Sequence, residues 1–271
     1  MNEAIQNAVE HLTPICGQKC KIGLILGSGL GEYAEQIQNK QFVNYSELPG
    51  FPQSRVEGHK GRFVIGDLFG KRVICMQGRF HYYEGYPQSQ LALSIRVMKK
   101  LGVEKLLLTN AAGGVNLDFS AGDLMLISDH INFSGSHPLI GPKDDDFGPR
   151  FPDQTNVYDR NLRAGVRKAA SEVGVDLREG VYMMFSGPTF ESPAEIVFAR
   201  SVGASAVGMS TVPEAIAASH CGIQTVGISL ITNMAAGILD QPLSHEEVQE
   251  TAALASEKFT KLVDQIIKSV F

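Results

Sequence analysis

The sequence predicts an α/β fold on a mixed, mostly parallel β-sheet, and three observations lead there. Short runs rich in Val, Ile and Leu alternate with stretches whose apolar residues recur at helical spacing. Such alternation favours parallel strands joined by crossover helices. One closely spaced pair of runs, with Gly66-Asp67 and Phe69-Gly70 between them, reads instead as a hairpin, which makes the sheet mixed. Gly and Pro are spread along the chain without a linker, repeat or low-complexity tract, so one domain over residues 1–271 is expected.

Taken in order, Met1 to Glu10 is a polar, helical leader without the basic and apolar regions of a targeting peptide. The expected strands are Ile22–Leu26, Phe63–Leu68, Arg72–Gln77, Lys105–Thr109, Asp123–Ser128, Gly180–Phe185, Ala206–Gly208 and Thr225–Thr232. Leu91, Ile95, Met98 and Leu101 share one helical face, with Gly102 as the stop. Leu162, Val166, Ala169 and Val173 repeat that pattern before Gly174, and Val248 to Ile266 form a long amphipathic C-terminal helix. Capping boxes mark helix starts at Ser192-Pro193-Ala194-Glu195 and Ser244-His245-Glu246-Glu247, with a third expected at Thr211-Val212-Pro213-Glu214.

The 271 residues can bury a substantial core without staples, and 44% apolar with 20% charged residues is ordinary for a globular protein. A net charge of -5 argues against a binder of nucleic acid or anionic membrane, though not against one small anion held by local donors. Cys16, Cys20, Cys75 and Cys221 fit no zinc spacing and read as reduced thiols of a cytoplasmic protein, with a Cys16–Cys20 bond as the lesser alternative. No apolar run reaches the length of a membrane span.

In α/β sheets ligands gather beyond the carboxyl ends of strands, so the residues following each apolar run carry the functional signal. Six run-ends deliver small or polar groups: Gly27-Ser28-Gly29-Leu30-Gly31, Gly78-Arg79-Phe80-His81-Tyr82-Tyr83-Glu84-Gly85, Asn110-Ala111-Ala112-Gly113-Gly114, Ser186 to Glu191, Met209-Ser210, and Asn233. The first loop precedes an apparent helix and suits an anion, though a tight strand-to-helix turn would use the same glycines. It matches neither a dinucleotide fingerprint, a P-loop nor a nucleophile elbow, because Glu32, the missing Gly-Lys-Ser/Thr and Leu26 break each pattern.

Arg79 and His81 occupy alternate positions and would point the same way from an extended segment. Arginine can grip a phosphate with two parallel hydrogen bonds. His59 is a further candidate donor, or a loop histidine without a role. Glu84 can orient the His81 ring, or be a solvated charge. His245 opens a capped helix, where a neutral imidazole is favoured, or it is an exposed residue of the cap. Asp144-Asp145-Asp146 reads as a solvated loop rather than a metal site.

Six stretches then carry a family resemblance: Leu26 to Gly31, Glu57-Gly58-His59, Gly78 to Gly85, Thr109 to Gly114, Gly208-Met209-Ser210-Thr211-Val212-Pro213-Glu214, and Ile231-Thr232-Asn233-Met234-Ala235. In this order the chain resembles the purine nucleoside phosphorylases of the homotrimeric class, and Asn233 to Gly237 resembles bacterial members more than animal ones. The resemblance implies a sheet partly closed into a barrel and flanked by helices. It implies phosphate held by Ser28, His59, Arg79, His81, the Ala111 amide and Ser210. Tyr83, Met209 and His81 would line the ribose, with His245 at its 5′-hydroxyl. Phe190, Glu191 and Asn233 would hold the base, and His81, Glu84, Glu191, Asn233 and His245 form the expected catalytic set. Phe151 would reach a neighbouring subunit's site in a homotrimer.

The implied reaction is reversible phosphorolysis of inosine, guanosine and their deoxy forms, a pentosyl transfer of purine salvage. It uses inorganic phosphate as co-substrate and no metal or organic cofactor. A carboxylate at Glu191 suits a purine with hydrogen on N1, which favours 6-oxopurines. The segment between Asn233 and His245 is slightly shorter than in animal members. Three rivals stand beside this reading. A methylthioadenosine phosphorylase typically has an acidic residue where Asn233 stands. A nucleoside hydrolase would need an N-terminal aspartate cluster that is missing, and a purine- or phosphate-binding sensor would use the same pocket without turnover.

Overall fold

The chain starts with α1 (Asn2–Cys16) and β1 (Ile22–Leu26), followed by β2 (Gln38–Asn44) and the hairpin β3 (Arg62–Leu68) and β4 (Lys71–Gln77). The short α2 (Gln88–Leu91) and α3 (Leu93–Leu101) lead to β5 (Lys105–Gly114) and β6 (Leu124–Asn132). The order closes with α4 (Arg160–Glu172), β7 (Leu177–Met184), α5 (Pro193–Ser201), β8 (Ala206–Gly208), α6 (Val212–His220), β9 (Gln224–Met234) and α7 (His245–Ser269). This computed structural model describes residues 2–17, 20–56 and 58–271; Met1 of the polar leader and Glu57 of the Glu57-Gly58-His59 stretch lie outside the described residues.

The strands form one nine-stranded sheet in the order β2-β3-β4-β1-β5-β8-β7-β6-β9, and β9 also pairs with β5. The last five strands therefore close into a barrel, and the first four extend from β5 as an open wing. Of the nine strand pairings, five are parallel, so the parallel majority is narrow. Strand β1 is Ile-Gly-Leu-Ile-Leu with no polar alternation, because helices cover both of its faces. Ile25, Ile65, Ile74, Leu106 and Leu108 join α1, α3 and α6 in one core. Their neighbours Leu24, Val64, Cys75 and Leu107 face the other way, into a core with Val166 of α4 and Phe259, Leu262 and Ile266 of α7. All four cysteines are free and buried. No helix among the described residues is long and apolar enough to cross a membrane.

The helix starts differ in how they are made. Asp159 caps α4 by accepting from Asn161 N and Leu162 N, each at 2.9 Å. At α5 the expected box is complete: Glu195 N donates to Ser192 Oγ at 3.3 Å and Ser192 N to Glu195 Oε2 at 2.7 Å. At α7 only half the box forms, because Ser244 Oγ accepts from Glu247 N while the Glu247 carboxylate takes Gln241 Nε2 instead. The third expected box is absent. Thr211 makes no side-chain cap, since its backbone stands at φ 72° and its hydroxyl is held by Asn110.

Four further departures from the sequence reading bear on the site. The loop at Gly27–Gly31 leads into a 3-10 turn over Gly31–Gln36 rather than the expected α-helix. Strand β5 continues past Thr109 to Gly114, because Ala111 to Gly114 are small enough to keep pairing with β8 and β9. Strand β9 continues to Met234, so Asn110, Ala111 and Asn233 stand on barrel strands, not on loops beyond them. Strand β2 is also present where none was expected. It is an edge strand with mostly exposed polar residues, a pattern that protects an edge and hides it from hydropathy.

Candidate active site

One open cavity of about 290 Å³ lies where β1, β4, β5, β7, β8 and β9 end around the barrel mouth. Its anion end starts at Gly27-Ser28. A Cβ on Gly27 would come within 2.8 Å of Asn110 Cα and 2.9 Å of Thr109 O, so only glycine lets this turn pass so close to β5. Ser28 is thereby set in the cavity wall, with Oγ 3.3 Å from His59 Nε2.

His59 itself stands behind that wall. His59 Nδ1 lies 3.2 Å from both the amide N and the carbonyl O of Arg79 and 3.3 Å from Ser54 Oγ, so the ring is held from behind while Nε2 faces Ser28. Burial, and then the neighbouring His81, push the His59 pKa down to about 3.

Arg79 reaches the cavity from below and is only 1% exposed. Its Nε donates to Glu214 Oε1 at 3.0 Å and its Nη1 to Thr109 O at 2.6 Å, and Nη1 stands 3.4 Å from Ser210 Oγ. Its Nη2 is buried without a hydrogen-bond partner among the described residues. Ser210 and the backbone of Ala111 complete this end.

His81 and Tyr83 form the flank, stacked with ring centroids 4.7 Å apart. Glu84 lies outside the lining and works from behind. Its Oε1 accepts from His81 N at 2.8 Å and lies 3.2 Å from His81 Nδ1, and its Oε2 accepts from Arg55 N at 2.8 Å. Burial opposes charge on Glu84, but these hydrogen bonds outweigh it and hold the carboxyl below its ordinary value. With Nδ1–H given to Glu84, a neutral His81 presents Nε2 as an acceptor; burial keeps its pKa down.

At the far end stand Phe190, Glu191 and Asn233. Glu191 Oε1 is buried without a partner among the described residues, and burial raises this carboxyl's pKa. The β5–β9 register slips between Ala112 and Gly113, leaving Thr232 as an extra residue in β9. That bulge turns Asn233 inward: Thr232 Oγ1 donates to Asn233 Oδ1 at 3.1 Å, and Asn233 Nδ2 donates to Met234 O at 3.3 Å. Met209 and His245 complete the rim, and His245 is the first residue of α7, as expected. Phe151 is not in the lining and is 88% exposed. Among the described residues no group of three or more His, Cys, Asp or Glu could hold a metal ion.

Ser28 and Glu191 therefore share one cavity although 163 positions separate them. A family model described as the phosphorylase superfamily matches residues 21–268. The chain belongs to the phosphorylase superfamily. Within that family it is 52% identical over 267 residues to purine nucleoside phosphorylase 1 of Bacillus subtilis, covering 98% of each chain. It is 45% identical over 277 residues to the purine nucleoside phosphorylase of Bos taurus, covering 99% of this chain and 95% of that one. The crystal structure of Schistosoma mansoni purine nucleoside phosphorylase in complex with inosine matches with a TM-score of 0.92 at 40% identity, covering 98% of this chain and 96% of the other. The resemblance carried by six short stretches thus extends over nearly the whole phosphorylase fold.

Sequence reasoning missed several residues of the site. Asn110 and Thr232 line the cavity, while Tyr182 and Glu214 hold its walls. Asn110, Thr232 and Glu214 lay inside the stretches that carried the resemblance, but their partners are set by tertiary pairing. Tyr182 had no signal beyond its place in an apolar strand.

Proposed function

We propose that the protein splits purine nucleosides with inorganic phosphate, giving the free base and ribose 1-phosphate, and runs the reaction in both directions. The observation that carries this reading is a single cavity with hydrogen-bond donors Ser28, Arg79 and Ser210 at one end and a buried carboxylate and carboxamide, Glu191 and Asn233, at the other. Such a pocket seats an oxyanion under a sugar and a purine edge beyond it. As the glycosidic bond breaks, positive charge grows on the ribose and negative charge on the leaving base. Phosphate below the sugar offsets the first, and Asn233 Nδ2, donating to N7, offsets the second. Phosphate oxygen attacks the anomeric carbon as the C–N bond electrons leave with the base, inverting that centre.

Glu191 accepts from N1–H of the base and, in guanine, from the 2-amino group, which favours inosine and guanosine over adenosine. His81 and Tyr83 take the ribose face, and His245 the 5′-hydroxyl. The Ala111 amide completes the phosphate donors, with His59 backing Ser28 from behind the wall. We read residues 1–271 as one domain in a cytoplasmic homotrimer, with Phe151 of each copy extending toward a neighbour's site; the exposure of Phe151 supports that role. Phosphate is a co-substrate, and the chemistry needs no metal or organic cofactor.

The test is release of hypoxanthine from inosine with and without phosphate. Release that depends on phosphate and yields ribose 1-phosphate is expected. Release that proceeds equally in water alone points to a hydrolase, and binding without release points to a sensor.

A further inference from the structure

Three non-glycine residues among those described have positive φ: Asn39, Phe69 and Thr211. Asn39 and Phe69 are exposed, whereas Thr211 is 1% exposed and follows Ser210 of the cavity wall. Its φ and ψ are 72° and -47°, and Val212 N donates across it to Ser210 O at 2.7 Å. This is a γ-turn of the rare, strained hand, with a β-branched residue at its apex. A conformation of this kind persists where its surroundings over-determine it, and it collects at functional sites.

The surroundings are specific. Asn110 Nδ2 donates to Thr211 Oγ1 at 2.8 Å, and Ala215 N donates to Thr211 O at 2.9 Å, tying the apex to β5 and α6. On the other side Ser210 N donates to Tyr182 Oη at 3.3 Å. A Cβ on Gly208 would stand 2.3 Å from that same oxygen, so the segment Gly208–Thr211 is pressed onto Tyr182. Thr211 Oγ1 and Ser210 Oγ are 3.1 Å apart. Asn110 Nδ2 donates to Thr211 Oγ1, which leaves the Thr211 hydrogen available for Ser210 Oγ. Arg79 Nη1 also approaches Ser210 Oγ, at 3.4 Å. In the arrangement where Thr211 and Arg79 both donate to Ser210 Oγ, the Ser210 hydroxyl hydrogen is left for the cavity.

We propose that Thr211, which does not itself line the cavity, is a positioning residue for phosphate: its hydroxyl, gripped by Asn110, locks the γ-turn and turns the Ser210 O–H toward the anion. The proposal rests on the reading of Ser210 as a phosphate donor. The test measures phosphate and inosine KM for Thr211→Val, Thr211→Ser, Ser210→Ala and the double variant Ser210→Ala/Thr211→Val. Loss of one hydrogen bond predicts a phosphate KM about tenfold higher in Thr211→Val, an inosine KM changed by less than about twofold, and near-parental values in Thr211→Ser. In the Ser210→Ala background the added effect of Thr211→Val should vanish, because Thr211 acts through Ser210.

An unchanged phosphate KM in Thr211→Val overturns the proposal, as does an undiminished effect of that change in the Ser210→Ala background. If Ser210→Ala itself leaves phosphate KM unchanged, the reading of Ser210 falls first and takes the proposal with it. Should Thr211→Val not fold, Thr211→Gly accepts the positive φ without strain and carries the same expectations.

Discussion

Arg79 Nε donates to Glu214 Oε1 at 3.0 Å in an ion pair whose side chains are 1% and 5% exposed. The pair joins the loop after β4 to the first turn of α6. It also neutralises the only arginine that lines the cavity among the described residues, so an anion there meets donors more than net charge. Removing one partner of such a pair leaves an uncompensated buried charge, which costs about 3–5 kcal/mol. Glu214→Ala should lose that much in urea unfolding, while Arg79→Met/Glu214→Leu should lose less than Glu214→Ala alone. A Glu214→Ala protein within about 1 kcal/mol of the parent would mean that the pair behaves like a surface salt bridge.

A second expectation concerns acid. His59 is held neutral, with its pKa pushed down to about 3 by burial and by His81. The unfolded chain takes up a proton there near pH 6.5, whereas the folded chain resists until about pH 3. Stability is therefore fully present above about pH 6.5 and declines as pH falls from there toward 3, by about 1.4 kcal/mol per pH unit for one such group. Urea midpoints at pH 7.5 and 5 should therefore lie further apart in the parent than in His59→Asn, in which the acid loss is flattened. An acid dependence of equal steepness in His59→Asn would assign the effect to His81 or His130, whose pKa values burial also lowers.

Much of this was legible in the sequence, and what was not has physical reasons. Strands such as β1 and β4 and the hairpin with β3 announce themselves because burial on both faces demands unbroken apolar runs. Strand β2 is silent because an edge strand can be polar. The stretch Ala111 to Gly114 reads as a loop locally, yet becomes barrel wall because β8 and β9 supply its hydrogen bonds. The same holds for chemistry. Ser28, Arg79, Glu191 and Asn233 stand out by type and by position after apolar runs, and all four line the cavity. The link between Asn110 and Thr211 spans 101 positions and that between Arg79 and Glu214 spans 135, so neither leaves a local pattern. The third capping box failed for that reason: Glu214 is taken by Arg79 and Thr211 by Asn110.

The crowding at Gly27 gives a steric prediction with an internal control. An added Cβ there meets backbone atoms of Thr109 and Asn110 that the β5 ladder holds in place, so either β1 or β5 must shift. At Gly31 the nearest atom to an added Cβ is Gln77 Cγ at 3.7 Å, an ordinary contact. Gly27→Ala should lower stability by about 1–3 kcal/mol and raise phosphate KM, because Ser28 moves with the turn. Gly31→Ala should match the parent in both. Equal behaviour of the two variants in thermal unfolding and in phosphate KM would show that the turn is not set by this contact.

At the base end the expectations separate by pH. Asn233 has one amide hydrogen engaged with Met234 O and its oxygen bonded by Thr232, which leaves a single fixed hydrogen for the purine. Losing one such preorganised donor raises a barrier by about 2.7–4 kcal/mol, so Asn233→Ala should cut kcat on inosine by about two to three orders of magnitude. Glu191 acts in its charged form, and burial raises its pKa, so acid should disarm it earlier than an exposed carboxylate. The ratio of parent to Glu191→Gln kcat/KM on inosine should then be large at pH 8 and shrink toward pH 5, a comparison in which the titration of phosphate itself cancels. A ratio that stays constant across that range would remove the Glu191 carboxylate from recognition of the base, whatever the absolute rates.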